Sequence, residues 1–136
     1  MIPSKTNFLI VDDIANVRKM LKEQLKEFGF KGDFLEAASV EEGKKLLEQQ
    51  VSLETPVGFI LCDYLMPNQT GIELLKFVRS APNFKNIPFI MVTTESEKQA
   101  VIGAISNGVS GYITKPWTGN VLKEKIAVAW EKMHPK

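Results

Sequence analysis

Residues 57–63 read VGFILCD, an apolar run that stops at an acid, Asp63. The form recurs along the chain. Residues 8–12 read FLIVD and end at Asp12, with a second acid, Asp13, directly behind. Residues 87–93, IPFIMVT, close on Thr93, and residues 112–115, YITK, close on Lys115. Near-continuous apolar runs of this length, rich in β-branched residues, suit strands covered on both faces, which is the habit of a parallel sheet. A weaker run, DFLEA at residues 33–37, supplies the remaining strand.

Between the runs, apolar residues recur at helical spacing. Val17, Leu21, Leu25 and Phe28 form one stripe that stops at Gly29, a good C-terminal signal. Ser39 with Glu42 three residues on has the form of a capping box, opening a helix that buries Leu46 and Leu47. Ile72, Leu75 and Phe77 or Val78 mark a third helix, with Pro82 just past its end. A fourth is expected from about Ser96 to Asn107, with Ala100, Ala104 and Ile105 inward and Gly108 behind it. Thr118 caps a fifth, with Val121, Leu122, Ile126, Ala129, Trp130 and Met133 inward. Residues 51–56 are expected as a loop.

Strand and helix thus alternate five times. Each crossover carries a helix and is right-handed, so the strands pair in parallel. The expected fold is α/β: a doubly wound, flavodoxin-like (βα)₅ sheet in the order 2-1-3-4-5. One domain is expected over residues 1–136, leaving no room for an effector domain.

Composition agrees with a globular chain, at 44% hydrophobic and 24% charged residues. Seventeen basic against sixteen acidic residues leave a net charge of +1, which gives no electrostatic argument for nucleic acid or membrane binding. No apolar stretch approaches bilayer-spanning length and no signal peptide is recognised. The single cysteine, Cys62, excludes an intramolecular disulfide, fits a cytoplasmic location, and reads as a small core residue.

In an open α/β sheet the ligand site lies past the carboxyl ends of the strands, at the switch in strand order. The order 2-1-3-4-5 makes strands one and three neighbours there. Asp12, Asp13 and Asp63 then meet in one cleft, with Thr93 and Lys115 on its other side. Asp is common at helix N-caps and turns, so the acid pair alone decides little; agreement among five separated positions decides more. Three clustered carboxylates call for a cation, and Mg²⁺ is the natural one, being a hard ion that prefers oxygen ligands. Lys115 favours the ionised form of Asp63. An ionised aspartate can take a phosphoryl group as an acyl phosphate, with Lys115 and the Thr93 hydroxyl meeting the phosphoryl oxygens.

Asp12-Asp13, CDYLMPNQTG around Asp63, MVTTE around Thr93 and GYITKPW around Lys115-Pro116 together closely resemble the response-regulator receiver family. DDIANVRKMLKEQLKEFGF and SNGVSGYITKPW resemble most its stand-alone chemotaxis members. The resemblance implies that Asp63 is the phosphoacceptor. It implies that Asp13 and Asp63 ligate Mg²⁺ directly, Asp12 mainly through water, and Leu65 through its backbone carbonyl. Lys115 would contact the acceptor and then the phosphoryl group, through a Lys-Pro bond usually cis in this family. Thr93 and Tyr112 would move together, changing the face made by the fourth helix, fifth strand and fifth helix. The implied donor is a histidine kinase docking on Ile14, Ala15 and Val17 beside Pro116. The implied target is a motor switch or a histidine phosphotransfer protein, met by a monomer through the face carrying Tyr112 and Trp117. For Trp117, plain packing stands equal to partner contact. Met66 and Pro67 are read as shaping the acceptor loop.

Leu65 and Thr94 depart from the chemotaxis pattern by being more apolar or bulkier, which implies slower loss of the phosphoryl group; Glu95 keeps the pattern. A Mg²⁺-dependent phosphohydrolase would present Asp-x-Asp after strand one and an inserted cap, and neither occurs. The receiver is therefore read as no enzyme beyond its own phosphorylation and dephosphorylation. No G-x-x-x-x-G-K-[ST] or G-x-G-x-x-G nucleotide loop is found. His134, the single histidine, sits in the tail and is a poor phosphotransfer residue.

Overall fold

In a strand, side chains alternate between two faces, and the apolar runs ending at Asp12, Asp63 and Thr93 are buried on both, whereas the runs at residues 34–37 and 111–114 are only partly buried. The computed structural model describes residues 2–94 and 98–135. Its elements run β1 (Phe8–Val11), α1 (Ala15–Glu27), β2 (Phe34–Ala37), α2 (Val40–Ser52), β3 (Phe59–Cys62), α3 (Gly71–Ser80), β4 (Phe89–Thr93), α4 (Lys98–Ser106), β5 (Gly111–Thr114) and α5 (Gly119–Met133). All strand pairs are parallel, in the order β2-β1-β3-β4-β5. The fold read from the sequence is the fold observed.

Leu9 and Val11 of β1, Ile60 and Cys62 of β3, and Phe89 and Met91 of β4 pack on one side against Leu47, Leu74, Leu75, Val78 and Ala104 of α2, α3 and α4. Phe8 and Ile10, Phe59 and Leu61, and Ile90 and Val92 face the other way, onto Leu21 and Leu25 of α1 and Leu122, Ile126 and Ala129 of α5. At about 25 cal/mol per Å² of apolar surface, these two faces provide the main drive for folding.

Helix ends follow the sequence signals. The Ser39 hydroxyl accepts from the Glu42 amide at 3.1 Å, and the Glu42 carboxylate accepts from the Ala38 amide at 3.2 Å, a capping box displaced by one residue. Thr118 accepts from the Val121 amide at 3.2 Å. Gly29, beyond the end of α1, has φ +98°, open to glycine at no steric cost.

Several sequence expectations are corrected. Residues 51 and 52 belong to α2 rather than to a loop, so the turn begins at Leu53. Val57 precedes β3, although it is buried. Leu46 is half-buried, with Leu47 taking the inward position. Ile105 is 64% exposed: α4 presses only Ala104 fully into the core, and Ile102 and Ile105 point out. Val121 is likewise exposed, while its neighbour Leu122 takes the inward position with Ile126 and Ala129. Ser96, the expected start of the fourth helix, lies outside the described residues, as does Glu95.

One cation ties the α3–α4 side together. Arg79 donates from Nε to the Gly108 carbonyl at 2.8 Å and from Nη1 to the carbonyls of Lys85 and Ile87 at 3.1 and 2.6 Å. Its Nη2 donates to the Ser110 hydroxyl at 3.1 Å, and that hydroxyl also accepts from the Phe89 amide at 3.0 Å. Burial pulls the guanidinium below its ordinary pKa, yet an arginine stays charged throughout the neutral range. Arg79→Met leaves these carbonyls without their donor and is expected to cost about 2 kcal/mol. A urea unfolding midpoint equal to that of the parent contradicts the assignment.

Candidate functional site

The parallel ladder continues one residue past three strands. The Asp12 amide donates to the Ala37 carbonyl at 3.0 Å, the Asp63 amide to Val11 at 2.9 Å, and the Lys115 amide to Thr93 at 2.8 Å. These side chains are therefore carried by the sheet rather than by free loops. Because β1 and β3 are neighbours, Asp12 and Asp63 stand side by side, and Asp13 completes a cluster in which one carboxylate oxygen from each residue lies within 4.8 Å of the others. Asp12 and Asp63 are buried, at 1% and 6% exposure, while Asp13 faces solvent.

Lys115 reaches this cluster from β5. Its Nζ lies 2.8 Å from Asp12 Oδ2 and 3.5 Å from Asp63 Oδ2. The Lys115-Pro116 bond is cis. Asp12 Oδ1 accepts from the Ile14 amide at 2.9 Å. Asp63 Oδ1 is buried and has no hydrogen-bond partner among the described residues.

The electrostatics follow from this arrangement. Burial pushes the Asp12 carboxyl above its ordinary pKa, and the neighbouring Asp63 adds to the push; the bonds from Lys115 and Ile14 oppose it without cancelling it. Burial alone would lower Lys115, but bonding to Asp12 and the charge of both carboxylates outweigh it and hold the ammonium above its usual range. Cys62 is buried, and desolvation, followed by the charges of Asp63 and Asp12, pushes its thiol well up. It is a core residue with no thiolate character.

The structure places the other expected residues around this centre. Thr93 is fully buried at the end of β4. Tyr112 is half-buried and packs on the α2–α4 side of the sheet. Leu65 is 49% exposed and bridges to Thr70, which folds the loop after Asp63 back on itself. Met66 packs at the margin of the core, and Pro67 is exposed. Ile14 and Pro116 are exposed and Val17 is half-buried. Trp117 is half-buried, and its indole N–H donates to the Gln24 side chain of α1 at 2.7 Å. His134 stacks on Trp130 at 3.8 Å, away from the acid cluster.

Two residues that shape the site were missed by sequence reasoning. Arg18 donates through Nη1 to the backbone carbonyl of Asp12 and through Nε to Glu36 at 3.1 Å, joining α1, the acid pair and β2. A backbone acceptor leaves no trace in the sequence. Gly71 opens α3 where any Cβ would overlap the Asp63 carbonyl; its signal was the glycine of NQTG, four residues beyond Pro67.

Three carboxylates and one ammonium leave negative charge in excess among the described residues. The donor set is all oxygen, and one buried oxygen, Asp63 Oδ1, is unpaired. A hard divalent cation fits such a set.

The chain matches the response regulator receiver domain over residues 8–127. It is 37% identical over 126 residues to the chemotaxis protein CheY of Pseudomonas aeruginosa, covering 93% of this chain and 97% of that one. It is 44% identical over 121 residues to the chemotaxis protein CheY1 of Helicobacter pylori, covering 88% and 93%. Among solved structures, a CheY-like receiver domain protein of Methanospirillum hungatei superposes with a TM-score of 0.80 at 26% identity, covering 95% of this chain and 96% of that one.

The acid cluster makes a crossed prediction. Without divalent cations, Asp13→Asn relieves like-charge repulsion and leaves the melting temperature equal to or above that of the parent. With Mg²⁺ added, the parent gains stability, by about 1.4 kcal/mol at tenfold its dissociation constant, while Asp13→Asn gains markedly less. Equal gains in both proteins would remove Asp13 from the cation site.

Proposed function

The chain belongs to the response regulator receiver family, and we propose that it is a Mg²⁺-dependent phosphoacceptor that takes a phosphoryl group on Asp63 and signals to a protein partner. Receivers of this family are signalling proteins rather than enzymes in the usual sense. The observation that carries the reading is the unpaired, buried Oδ1 of Asp63 beside an ammonium held by its other oxygen. A buried carboxylate oxygen without a partner costs roughly 1–3 kcal/mol or more, a cost accounted for by an oxygen kept free for an electrophile and a cation.

In the proposed reaction an oxygen of Asp63 attacks phosphorus, an acyl phosphate bond forms, and the bond to the donor's histidine nitrogen breaks. Asp13, Asp63 and the Leu65 carbonyl would hold Mg²⁺ directly and Asp12 mainly through water, and the ion when bound would supply positive charge against the phosphoryl oxygens and lower repulsion toward the incoming anion. Lys115 exchanges part of its contact with the acids for a phosphoryl oxygen, and the Thr93 hydroxyl bonds another. Thr93 and Tyr112 then shift the face made by α4, β5 and α5. The modification is local, and its effect is a change in partner affinity.

A histidine kinase is the proposed donor, docking on Ile14, which precedes α1, and on Ala15 and Val17 in its first turn, beside Pro116. The proposed setting is the cytoplasm, with the receiver domain acting as a monomer. Similarity to chemotaxis proteins favours a motor switch as target. A histidine phosphotransfer protein is the second proposed target.

Acetyl phosphate with Mg²⁺ is expected to add one phosphoryl mass to the wild type, and none after EDTA treatment or in Asp63→Asn. A parent protein that stays unmodified where another receiver labels contradicts the reading. Leu65, half-exposed beside the acceptor, is proposed to retard the approach of water. Leu65→Asn is accordingly expected to shorten the phosphoryl lifetime by about fivefold, equivalent to ~1 kcal/mol of barrier. A decay rate unchanged by the substitution removes Leu65 from that role.

A further inference from the structure

Lys115 can serve Asp63 only if the loop after β5 holds its stem at the right reach. That loop is short, and it is fixed at both ends. On one side the Lys115 amide donates to the Thr93 carbonyl at 2.8 Å. On the other side, two residues on, the Trp117 indole N–H donates to Gln24 Oε1 at 2.7 Å, and the ring packs on the α1–α5 core. Thr118, the very next residue, caps α5.

The helix that receives Trp117 is the same helix that holds the acid pair. At its start, the Ile14 amide binds Asp12 Oδ1, and from its second turn Arg18 binds the Asp12 carbonyl. Thus α1 is anchored to Asp12 at one end and to the Lys115 loop further along. The Lys115–Asp12 ion pair closes the circuit between those two anchors at 2.8 Å. The indole–amide bond joins residues 93 positions apart and is partly buried, where a neutral hydrogen bond keeps most of its geometric control.

We propose that Gln24 is a positioning residue for phosphoryl transfer: by holding the Trp117 indole on α1, it sets the reach of Lys115 toward Asp63. This rests on the phosphoacceptor reading above. Gln24 touches neither the acids nor a phosphoryl group and acts only through Trp117 and the two-residue link to Lys115. Loss of the bond lets the loop and the ammonium sample positions off the acceptor, and misplacement of a charge-stabilising group is costly in rate.

The test compares wild type, Gln24→Met, Gln24→Glu, Trp117→Phe and the Gln24→Met/Trp117→Phe double variant. The readouts are the rate of acetyl-phosphate labelling with its half-saturation, Mg²⁺ affinity, and the melting temperature. Gln24→Met is expected to lower the labelling rate roughly three- to tenfold, the size of one lost hydrogen bond, with Mg²⁺ affinity unchanged. Gln24→Glu, which still accepts from the indole, is expected to restore most of the rate. The double variant is expected to be no slower than either single variant, because both remove the same bond. Wild-type labelling rates in Gln24→Met, additive losses in the double variant, or a melting-temperature drop with no change in rate would each overturn the assignment. A wild type that fails to label overturns the phosphoacceptor reading itself.

Discussion

Two buried carboxylates share one ammonium. Lys115 stands 2.8 Å from Asp12 and 3.5 Å from Asp63, and all three side chains are largely withdrawn from water. Carboxylates held within 4.8 Å repel each other by roughly 3 kcal/mol at an effective dielectric of about 20. Removing one partner from a buried pair typically costs about 3–5 kcal/mol, because the remaining charge is left unmatched. The site is therefore held under tension. Lys115 compensates part of the negative charge, and Asp13 adds more from the solvent side. A cation and a transferred phosphoryl group would both find a place already prepared for them.

The rest of the molecule keeps those charges from relaxing apart. Strand order makes the ends of β1 and β3 neighbours, and backbone bonds extend the sheet through Asp12, Asp63 and Lys115. Two apolar layers, with Phe8, Phe59 and Ile90 on one face and Leu9, Ile60 and Phe89 on the other, hold the strands in register. The closely packed interior gives the ends little freedom. Helix α1 adds a second constraint, binding Asp12 through Ile14 and Arg18 and the Lys115 loop through Gln24. The α4 side is different in kind. Only Ala104 of that helix is fully buried, while Ile102 and Ile105 face solvent. A helix with so little buried anchoring is suited to shift, whereas β1, β3 and α1 are suited to hold still.

This division explains what the sequence disclosed. The inner strands β1, β3 and β4 were legible because a strand buried on both faces must be apolar throughout, so each run ended visibly where chemistry began, at Asp12, Asp63 and Thr93; the edge strand β5, expected to be covered on both faces, is only partly buried and its signal before Lys115 was shorter. Parallel pairing followed from chain alternation and the handedness of crossovers, while the order of the sheet was taken from the flavodoxin-like pattern. The inward face of α4 was not legible, because its apolar residues surround most of the helix and periodicity could not separate Ala104 from Ile105. Val121 was misread for a related reason: it adjoins Leu122, and of the two only Leu122 lies on the stripe with Ile126 and Ala129 that packs inward. Contacts through backbone carbonyls, such as Arg18 on Asp12 and Arg79 on Gly108 and Ile87, have no residue-type signature. The Gln24–Trp117 bond spans most of the chain, and neither residue type demands the other.

The claim that Asp63 is the residue that takes the phosphoryl group is open to one direct chemical test. The phosphorylated protein can be reduced with borohydride, which converts an acyl phosphate on aspartate to homoserine, and the peptide that includes residue 63 can then be sequenced by mass spectrometry. The account predicts homoserine at position 63 and unmodified aspartate at positions 12 and 13. Homoserine at either of those positions, or a phosphate that resists reduction, would contradict it.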